Sequence, residues 1–419
     1  MKPLVKGRAA FVGRFDRGVW VLVAIQLITA MGFSISLPYL SLYLNQQRGL
    51  SMTVVGAIML ASALVAAVGR LAGGELSDRF GRRPVLLTAM ALRVAVFAGM
   101  TLLLAFAGPV WAIAGAYLLV RLTGAFAMPA ISAMVADLAP EGRRTESYGL
   151  LRAGTNLGWG AGPALGGYLA TVFPYAALFA LTALFSLIAL ALVVAFVRES
   201  HHAREPRAGL KALAETFRDL RFVAFVGLSL LVLVAGGQLV STLSVFVVAR
   251  LGYSEAAFGG LLTLNGLLVA ALQYPIARWT ERRPRLLGLV AGAFLYGAGY
   301  LLFGWVRAYS ALMGAIVVVT FGEMLFAPTT LSVVADLAPP ARRGRYMGAF
   351  GLAESFGWSA GPFLGGVLLD ALPHSPATMW GIISSFAFVA ALGFLIWGRK
   401  KRTPKGCSPS GHKGDQLES

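Results

Sequence analysis

Long apolar segments separated by short polar turns dominate this sequence. A helix needs about 20 predominantly apolar residues to cross the hydrocarbon core of a membrane, whereas the strands of a β-barrel would be about ten residues long and alternating. The pattern therefore predicts an all-α membrane protein with twelve transmembrane helices. We expect them at residues 19–44, 54–77, 84–107, 109–136, 147–171, 175–197, 222–249, 256–278, 286–306, 309–335, 346–369 and 377–398.

The twelve predicted helices fall into two related sets of six. Adding 199 to the residue numbers of the fourth and fifth helices reproduces much of the tenth and eleventh, so that Gly158-Trp159 recurs as Gly357-Trp358. A second match, offset by 200, aligns Arg82-Arg83-Pro84 with Arg282-Arg283-Pro284. Parallel repeats of this kind are typical of transporters whose substrate site lies between the halves near the midplane of the membrane.

Basic residues are concentrated on one side of the predicted helices. If the N-terminus is cytoplasmic, 29 of the 36 Lys and Arg residues fall in cytoplasmic segments, three fall outside and four lie within helices. This bias predicts cytoplasmic termini and explains the net charge of +18 without nucleic acid. We expect a multi-pass protein of the inner (plasma) membrane, with a cytoplasmic N-terminal tail (1–18), a first half (19–197), a cytoplasmic linker (198–221), a second half (222–398) and a disordered cytoplasmic tail (399–419).

Composition excludes several other classes of protein. Charged residues make up 13% of the chain, about half of the roughly 25% usual in soluble domains. The single cysteine, Cys407, forms no internal disulfide, and the four histidines lack metal-ligand spacing. The sequence also lacks the G-x-x-x-x-G-K-[ST] phosphate-binding loop. We therefore expect no metal, no cofactor and no enzymatic activity, and a transporter that uses a gradient.

The loop between the second and third helices carries a recognisable motif. Residues 73–83 read Gly-Gly-Glu-Leu-Ser-Asp-Arg-Phe-Gly-Arg-Arg and resemble motif A of the major facilitator superfamily. The resemblance implies that the cytoplasmic charges of this loop can hold the two halves together in one conformation. The residues that carry this expectation are Gly74, Asp78, Arg79, Gly81, Arg82 and Arg83.

The fifth helix resembles motif C, the signature of the proton-coupled drug antiporters of that superfamily. Its residues are Gly158, Gly162, Pro163, Gly166 and Gly167. Glycines at every fourth position leave one helix face without side chains, and proline removes a helix hydrogen bond. Tight packing and a bending hinge are both compatible with this pattern. The same pattern recurs in the eleventh helix, which favours packing.

Charged residues inside the predicted helices are the strongest functional signal. A charge at the centre of the bilayer costs at least about 2.5 kcal/mol, so each one suggests a function. Arg121, which matches the arginine of motif B, and Arg152 lie in the first half, and Glu323 and Glu354 lie in the second. The repeat pairs Arg121 with Glu323 and Arg152 with Glu354 at similar depths. We expect proton coupling or gating from these four residues, and a permanent structural ion pair is the alternative.

The resemblance also implies a central cavity lined by the first, fourth, seventh and tenth helices. Candidate lining residues on these helices are Gln26, Phe33, Phe126, Gln238 and Phe246. The function expected is proton-coupled efflux of small amphipathic molecules or drugs by a monomer in the lipid bilayer, through alternating access. The alternatives are a transporter of one metabolite, such as a sugar or a lipid-like molecule, and a non-transporting membrane sensor.

Overall fold

Twelve long helices account for nearly all of the polypeptide that the structure describes. The structure is a computed structural model, and it describes residues 15–140, 143–200, 215–339 and 342–399. The expected disordered tail and most of the linker therefore lie outside the described residues. The helices are α1 Arg17–Gln47, α2 Met52–Phe80, α3 Arg82–Ala105, α4 Val110–Leu138, α5 Arg144–Val172, α6 Tyr175–Phe196, α7 Leu220–Arg250, α8 Glu255–Glu281, α9 Arg285–Phe303, α10 Tyr309–Leu337, α11 Arg343–Ala371 and α12 Pro376–Arg399.

The predicted helices agree with the observed ones to within three residues at each end. Ten of the twelve are long and apolar enough to cross a membrane by length and composition. The other two, α5 and α11, have 29 residues each but are rich in glycine and carry charges. Polar residues mark several of the starts, since the side chains of Ser51 and Ser254 accept hydrogen bonds from the first turns of α2 and α8.

Each set of six helices packs as one half, and the two halves meet along two helix pairs. In the first half α1 packs on α5 and α6, and α2 packs on α4; in the second half α7 packs on α11 and α12, and α8 packs on α10. Between the halves, α2 packs against α11 and α5 packs against α8. These two interfaces are equivalent under the internal repeat, so the molecule has an approximate two-fold relation between its halves.

The halves are joined by hydrogen bonds at the end of the molecule opposite to the start of α1 and the end of α12. Asp370 of α11 accepts from the backbone N–H groups of Met52 (3.0 Å) and Thr53 (2.7 Å) on α2. Ser41 of α1 and Ser244 of α7 lie 3.2 Å apart, oxygen to oxygen. These contacts close this end, which we call the outer end.

The third helices of the two halves, α3 and α9, correspond at a different residue offset from the one that the sequence repeat suggested. Helix α3 begins at Arg82 and α9 begins at Arg285, which is an offset of 203 residues, where the sequence suggested 200. The difference of three residues is close to one helical turn. It brings Arg285, and not Arg282, to the structural position of Arg82, where each arginine pairs with an aspartate on the following helix.

Candidate functional site

A cavity of about 520 Å³ lies between the halves. It is bounded by α1, α2, α4 and α5 from the first half and by α7, α8, α10 and α11 from the second. Arg70 of α2 lines it and is exposed, and the guanidinium of Arg70 donates to the carbonyl of Gly351 on α11 at 3.3 Å. Leu37 and Met59 of the lining are buried near the outer end, whereas Arg70 is exposed, so the cavity is accessible from the end where α1 begins and α12 ends.

Most of the cavity wall is apolar or aromatic. The rings of Phe33 and Trp159 lie 5.6 Å apart, centroid to centroid, on the side of the first half. Trp358, the repeat equivalent of Trp159, lines the opposite side. Aromatic rings bury a large area without restricting a ligand to one hydrogen-bonding pattern. The wall therefore fits molecules with a substantial apolar surface.

One carboxylate in this cavity is held in place by hydrogen bonds. Glu323 of α10 lines the cavity and is half-buried. Its Oε2 accepts a hydrogen bond of 3.0 Å from Asn265 Nδ2 of α8, and the same amide donates to Thr320 Oγ1 at 2.9 Å. The hydroxyl of Thr320 in turn donates to the carbonyl of Ile316. This chain of donors fixes the orientation of Glu323 while leaving part of it open to the cavity.

Three more charged residues line the same cavity. Arg121 and Glu354 line the wall together with Arg70. Arg152 is exposed beside the lining and is close enough to act electrostatically on both Glu323 and Glu354. Within the described residues neither glutamate forms an ion pair of 4.0 Å or less. The arrangement is therefore a group of separated charges around one space.

This grouping differs from the pairing expected from the repeat. Arg121 was expected opposite Glu323 and Arg152 opposite Glu354. Arg152 acts on Glu354 as expected, but it also acts on Glu323, and Arg121 lies near Arg70, which itself lies near Glu354. The repeat matched depths along the membrane normal but carried no information on rotation about each helix axis, which decides which side chains face each other.

Four of the five candidate lining residues lie outside the cavity lining. Only Phe33 is part of it. Gln238 is fully buried and donates to the carbonyls of Val234 (3.0 Å) and Gly361 (2.8 Å), so its amide joins α7 to α11. The ring of Phe246 is also buried and packs against a tryptophan of α12. Gln26 and Phe126 are half-buried elsewhere.

Several lining residues were not among the sequence candidates. Asn265 is the most consequential, because it holds Glu323. Its signal in the sequence was an amide inside an otherwise apolar segment of α8, a helix that the family resemblance did not place at the cavity. Others that line the cavity are Arg70, Tyr117, Asn156 and Trp358. Tyr117 lies on α4, which was expected at the cavity, and the other three lie on α2, α5 and α11, because the interface helices also contribute to the wall.

The motif A loop is tightly held in the first half. Arg82 is 1% exposed and pairs with Asp137 at the end of α4, and its guanidinium donates to the carbonyl of Ala133 at 3.2 Å. The carboxylate of Glu199 accepts from the backbone N–H groups of Arg82 (3.1 Å) and Arg83 (3.0 Å). Gly81 has a φ of 97°, a conformation that favours glycine.

The other motif A residues are distributed between buried and exposed positions. Gly74 is buried, Asp78 is half-buried, and Arg79 is exposed with its guanidinium 5.3 Å from the ring centre of Phe80. Arg83 donates to the carbonyl of Val194 at 3.1 Å. The loop thus fixes the ends of α2, α3, α4 and α6 relative to one another.

The glycines of motif C lie at close helix contacts. Cβ atoms added to Gly158, Gly162 and Gly166 would collide with α1, and one added to Gly167 would lie 2.6 Å from the carbonyl oxygen of Glu255 on α8. Pro163 lines the cavity, and its carbonyl accepts from Tyr39 at 2.8 Å. Motif C therefore lets α5 approach α1 within its half and α8 in the other half.

Within the described residues, no group of three or more His, Cys, Asp or Glu side chains could hold a metal ion. The charged residues that line the cavity are arginines and glutamates.

The sequence is similar to a known protein family and to curated transporters along most of its length. The family model described as Major Facilitator Superfamily matches residues 22–362 and 226–418. The multidrug resistance protein MdtH of Salmonella typhimurium (strain LT2) is 30% identical over 396 residues, covering 93% of this chain and 96% of that protein. An uncharacterized MFS-type transporter, YqjV of Bacillus subtilis (strain 168), is 26% identical over 390 residues, covering 91% and 93%.

The fold is also similar to those of solved structures. A peptide transporter POT in complex with sulfate matches with a TM-score of 0.78 at 17% identity, over 92% of this chain and 95% of that one. The human organic anion transporter MFSD10 matches with a TM-score of 0.64 at 21% identity, over 90% and 99%. At these identities the two structures support the fold alone.

Proposed function

This chain belongs to the major facilitator superfamily, and on that premise we propose that it exports small amphipathic molecules in exchange for protons. That it is a multi-pass membrane transporter follows from the family. The substrate class and the coupling ion are the proposal. The similarity to a multidrug resistance protein over almost the whole chain supports the substrate class.

One observation carries the proposal: Glu323 is a half-buried carboxylate in a cavity whose walls are otherwise largely apolar and aromatic. Burial of a carboxylate within the membrane costs free energy, so its presence suggests a function. In its charged form it attracts the polar end of an amphipathic molecule, and in its protonated form it does not. Binding of a proton and binding of a substrate therefore compete at one group, which couples their movement in opposite directions.

The two interfaces between the halves provide a route for alternating access. In the conformation described, the outer end is closed by Asp370 and Thr53 and the cavity is accessible from the other end. We propose that the accessible end faces the cytoplasm, so that substrate enters from there. Rocking of the halves about α2–α11 and α5–α8 would then open the outer end.

We assign two further roles as part of the same proposal. Motif A residues Asp78 and Arg79 hold the cytoplasmic ends of the halves when the outer end is open, while Arg82 and Arg83 fix the loop to its own half. Arg152 and Arg121 stabilise the charged forms of Glu354 and Glu323 at different stages of the cycle. A positive charge nearby favours a carboxylate over a carboxylic acid. Movement of Arg152 toward Glu323 would therefore promote release of the proton.

Transport by the purified full chain in proteoliposomes tests the proposal. The probe is ethidium, a planar amphipathic cation, supplied on the side that corresponds to the cytoplasm, with the opposite side made acidic. We expect accumulation on the acidic side that a protonophore abolishes. Accumulation of ethidium that does not depend on the pH gradient would contradict proton exchange. Transport of a sugar, without transport of ethidium or of neutral amphipathic probes, would contradict the substrate class. Protein-free liposomes serve as the control.

A further inference from the structure

The two halves hold equivalent ion pairs in unequal surroundings. Arg82 pairs with Asp137 and donates to the carbonyl of Ala133, while Arg285 pairs with Asp336 and donates to the carbonyl of Ser332. The aspartates are 199 residues apart, and so are the two residues with the accepting carbonyls. In each half the arginine is the first residue of the third helix. These are therefore the same structural position.

In the first half, the residues that follow α6 cover this ion pair. Arg82 and Asp137 are 1% and 9% exposed. Glu199, just after α6, accepts from the backbone of Arg82, and Ser200 accepts from the guanidinium of Arg82 at 3.2 Å. A carboxylate of the protein thus neutralises the basic start of α3.

In the second half the same position is an open pocket. Arg285 and Asp336 are 46% and 47% exposed, and a cavity of about 590 Å³ lies beside them. By the offset of 201 between the starts of α6 and α12 (Tyr175 and Pro376), the sequence position that corresponds to Glu199 is Lys400, which lies outside the described residues. At this position the sequence has a basic residue where the first half has a carboxylate.

The pocket has more positive charge than its own carboxylates neutralise. It is lined by Arg221, Arg283 and Arg285 against Asp219 and Asp336. Asp336 is paired with Arg285, and Asp219 accepts from two backbone N–H groups at the start of α7 and from the hydroxyl of Tyr346.

The remaining two guanidinium groups lie against aromatic rings. Arg221 lies 5.2 Å from the ring centre of Trp397, and Arg283 lies 5.3 Å from that of Trp279. In the part of the chain that the structure describes, neither guanidinium has a carboxylate within 4.0 Å. Two arginines that are held in place and still have free N–H donors form a phosphate-binding arrangement.

The rest of the lining is apolar. Leu286 and Leu337 are half-buried in the wall below the arginines, and Leu289 and Val333 are buried behind them. The pocket lies at the ends of α7, α9, α10 and α12, and α9 and α12 pack within the second half, away from the α5–α8 and α2–α11 interfaces. Its polar part therefore lies at the membrane surface and its apolar part extends toward the hydrocarbon.

We propose that this pocket binds an anionic phospholipid, with the phosphate between Arg221 and Arg283 and the glycerol and first methylenes against the leucines. Basic pockets between helices on the cytoplasmic side suit such headgroups. A free phosphate ion would use the arginines but not the apolar wall. The site is separate from the central cavity, and the proposal stands without any assumption about the transported substrate.

Thermal unfolding of the purified full chain in detergent tests the proposal. The probes are phosphatidylglycerol, phosphatidylcholine and inorganic phosphate. We expect a concentration-dependent rise in Tm with phosphatidylglycerol and a much smaller one with phosphatidylcholine or phosphate. In Arg221→Gln/Arg283→Gln the apparent affinity for phosphatidylglycerol should fall at least about tenfold for the loss of charge-assisted hydrogen bonds.

Two further variants distinguish a loss of lipid binding from a general loss of protein stability. Arg278→Gln removes the same charge at the same end of the molecule but outside the pocket, and it should keep the full response. Arg283→Gln alone changes an exposed side chain and should weaken the response in a protein whose Tm in detergent is unaltered. Equal responses to both lipids, an unweakened response in the arginine variants, or an equal response to phosphate would each overturn the assignment of a lipid.

Discussion

Asp370 at the end of α11 accepts hydrogen bonds from both the backbone N–H and the hydroxyl of Thr53 at the start of α2, each at 2.7 Å. The two residues belong to different halves of the transporter and lie at its outer end. A carboxylate at a helix start also interacts favourably with the helix dipole. This pair is therefore a direct contact that keeps the outer end closed in the conformation described.

Asp370→Asn should favour opening of the outer end, because the amide lacks the charge that strengthens these hydrogen bonds. If the closed conformation loses about 1–2 kcal/mol of stability relative to the open one, the ratio of open to closed molecules rises roughly 5- to 30-fold. The readout is the rate at which an impermeant maleimide labels Ser41→Cys, a buried position at this end, in a Cys407→Ser background. Thr53→Val, which removes only the hydroxyl, should have a smaller effect. An unchanged rate in Asp370→Asn would contradict this role.

The two equivalent ion pairs should contribute very differently to stability. Asp137→Asn leaves Arg82 charged, buried and without its partner, which costs about 3–5 kcal/mol for a well-buried pair. Asp336→Asn removes the partner of a half-exposed arginine and should cost about 0–1 kcal/mol. Thermal unfolding of the two variants in the same detergent makes the comparison, and each variant is the control for the other. Equal losses of Tm would show that burial does not distinguish the pairs.

The sequence contained the helices and the repeat but little about helix rotation. Apolar runs of membrane length fixed the twelve helices to within three residues, because the bilayer sets their length. Motif A was recognisable because its residues are contiguous in the sequence, although their partners Asp137 and Glu199 lie elsewhere in the chain. Gln238, in contrast, was expected in the cavity, and its amide instead joins α7 to α11. Asn265 was missed because its partner Glu323 is 58 residues away on another helix, a contact that only packing creates.

The topology follows from the asymmetry of basic residues and can be tested with the natural cysteine. We expect Cys407 to be cytoplasmic, so an impermeant thiol reagent should label it in permeabilised cells but not in intact ones. A cysteine placed at the outer end in the Cys407→Ser background, such as Arg307→Cys, should be labelled in intact cells. Labelling of Cys407 in intact cells would reverse the assigned orientation and with it the direction of transport.

The central claim is that Glu323 exchanges protons during transport, and Glu323→Gln tests it most directly. The amide retains the size of the side chain and an oxygen that can accept from Asn265, but it cannot be deprotonated. We predict that this variant loses accumulation of substrate driven by a pH gradient and unfolds at nearly the parental Tm. It should keep exchange of substrate across the membrane, but with a lower apparent affinity, because the neutral amide lacks the charge that attracts the substrate. Glu354→Gln, measured alongside, should retain more of the gradient-driven accumulation. Normal coupling together with a lowered Tm in Glu323→Gln would contradict the account, because it would make Glu323 a structural partner and move the proton site to Glu354.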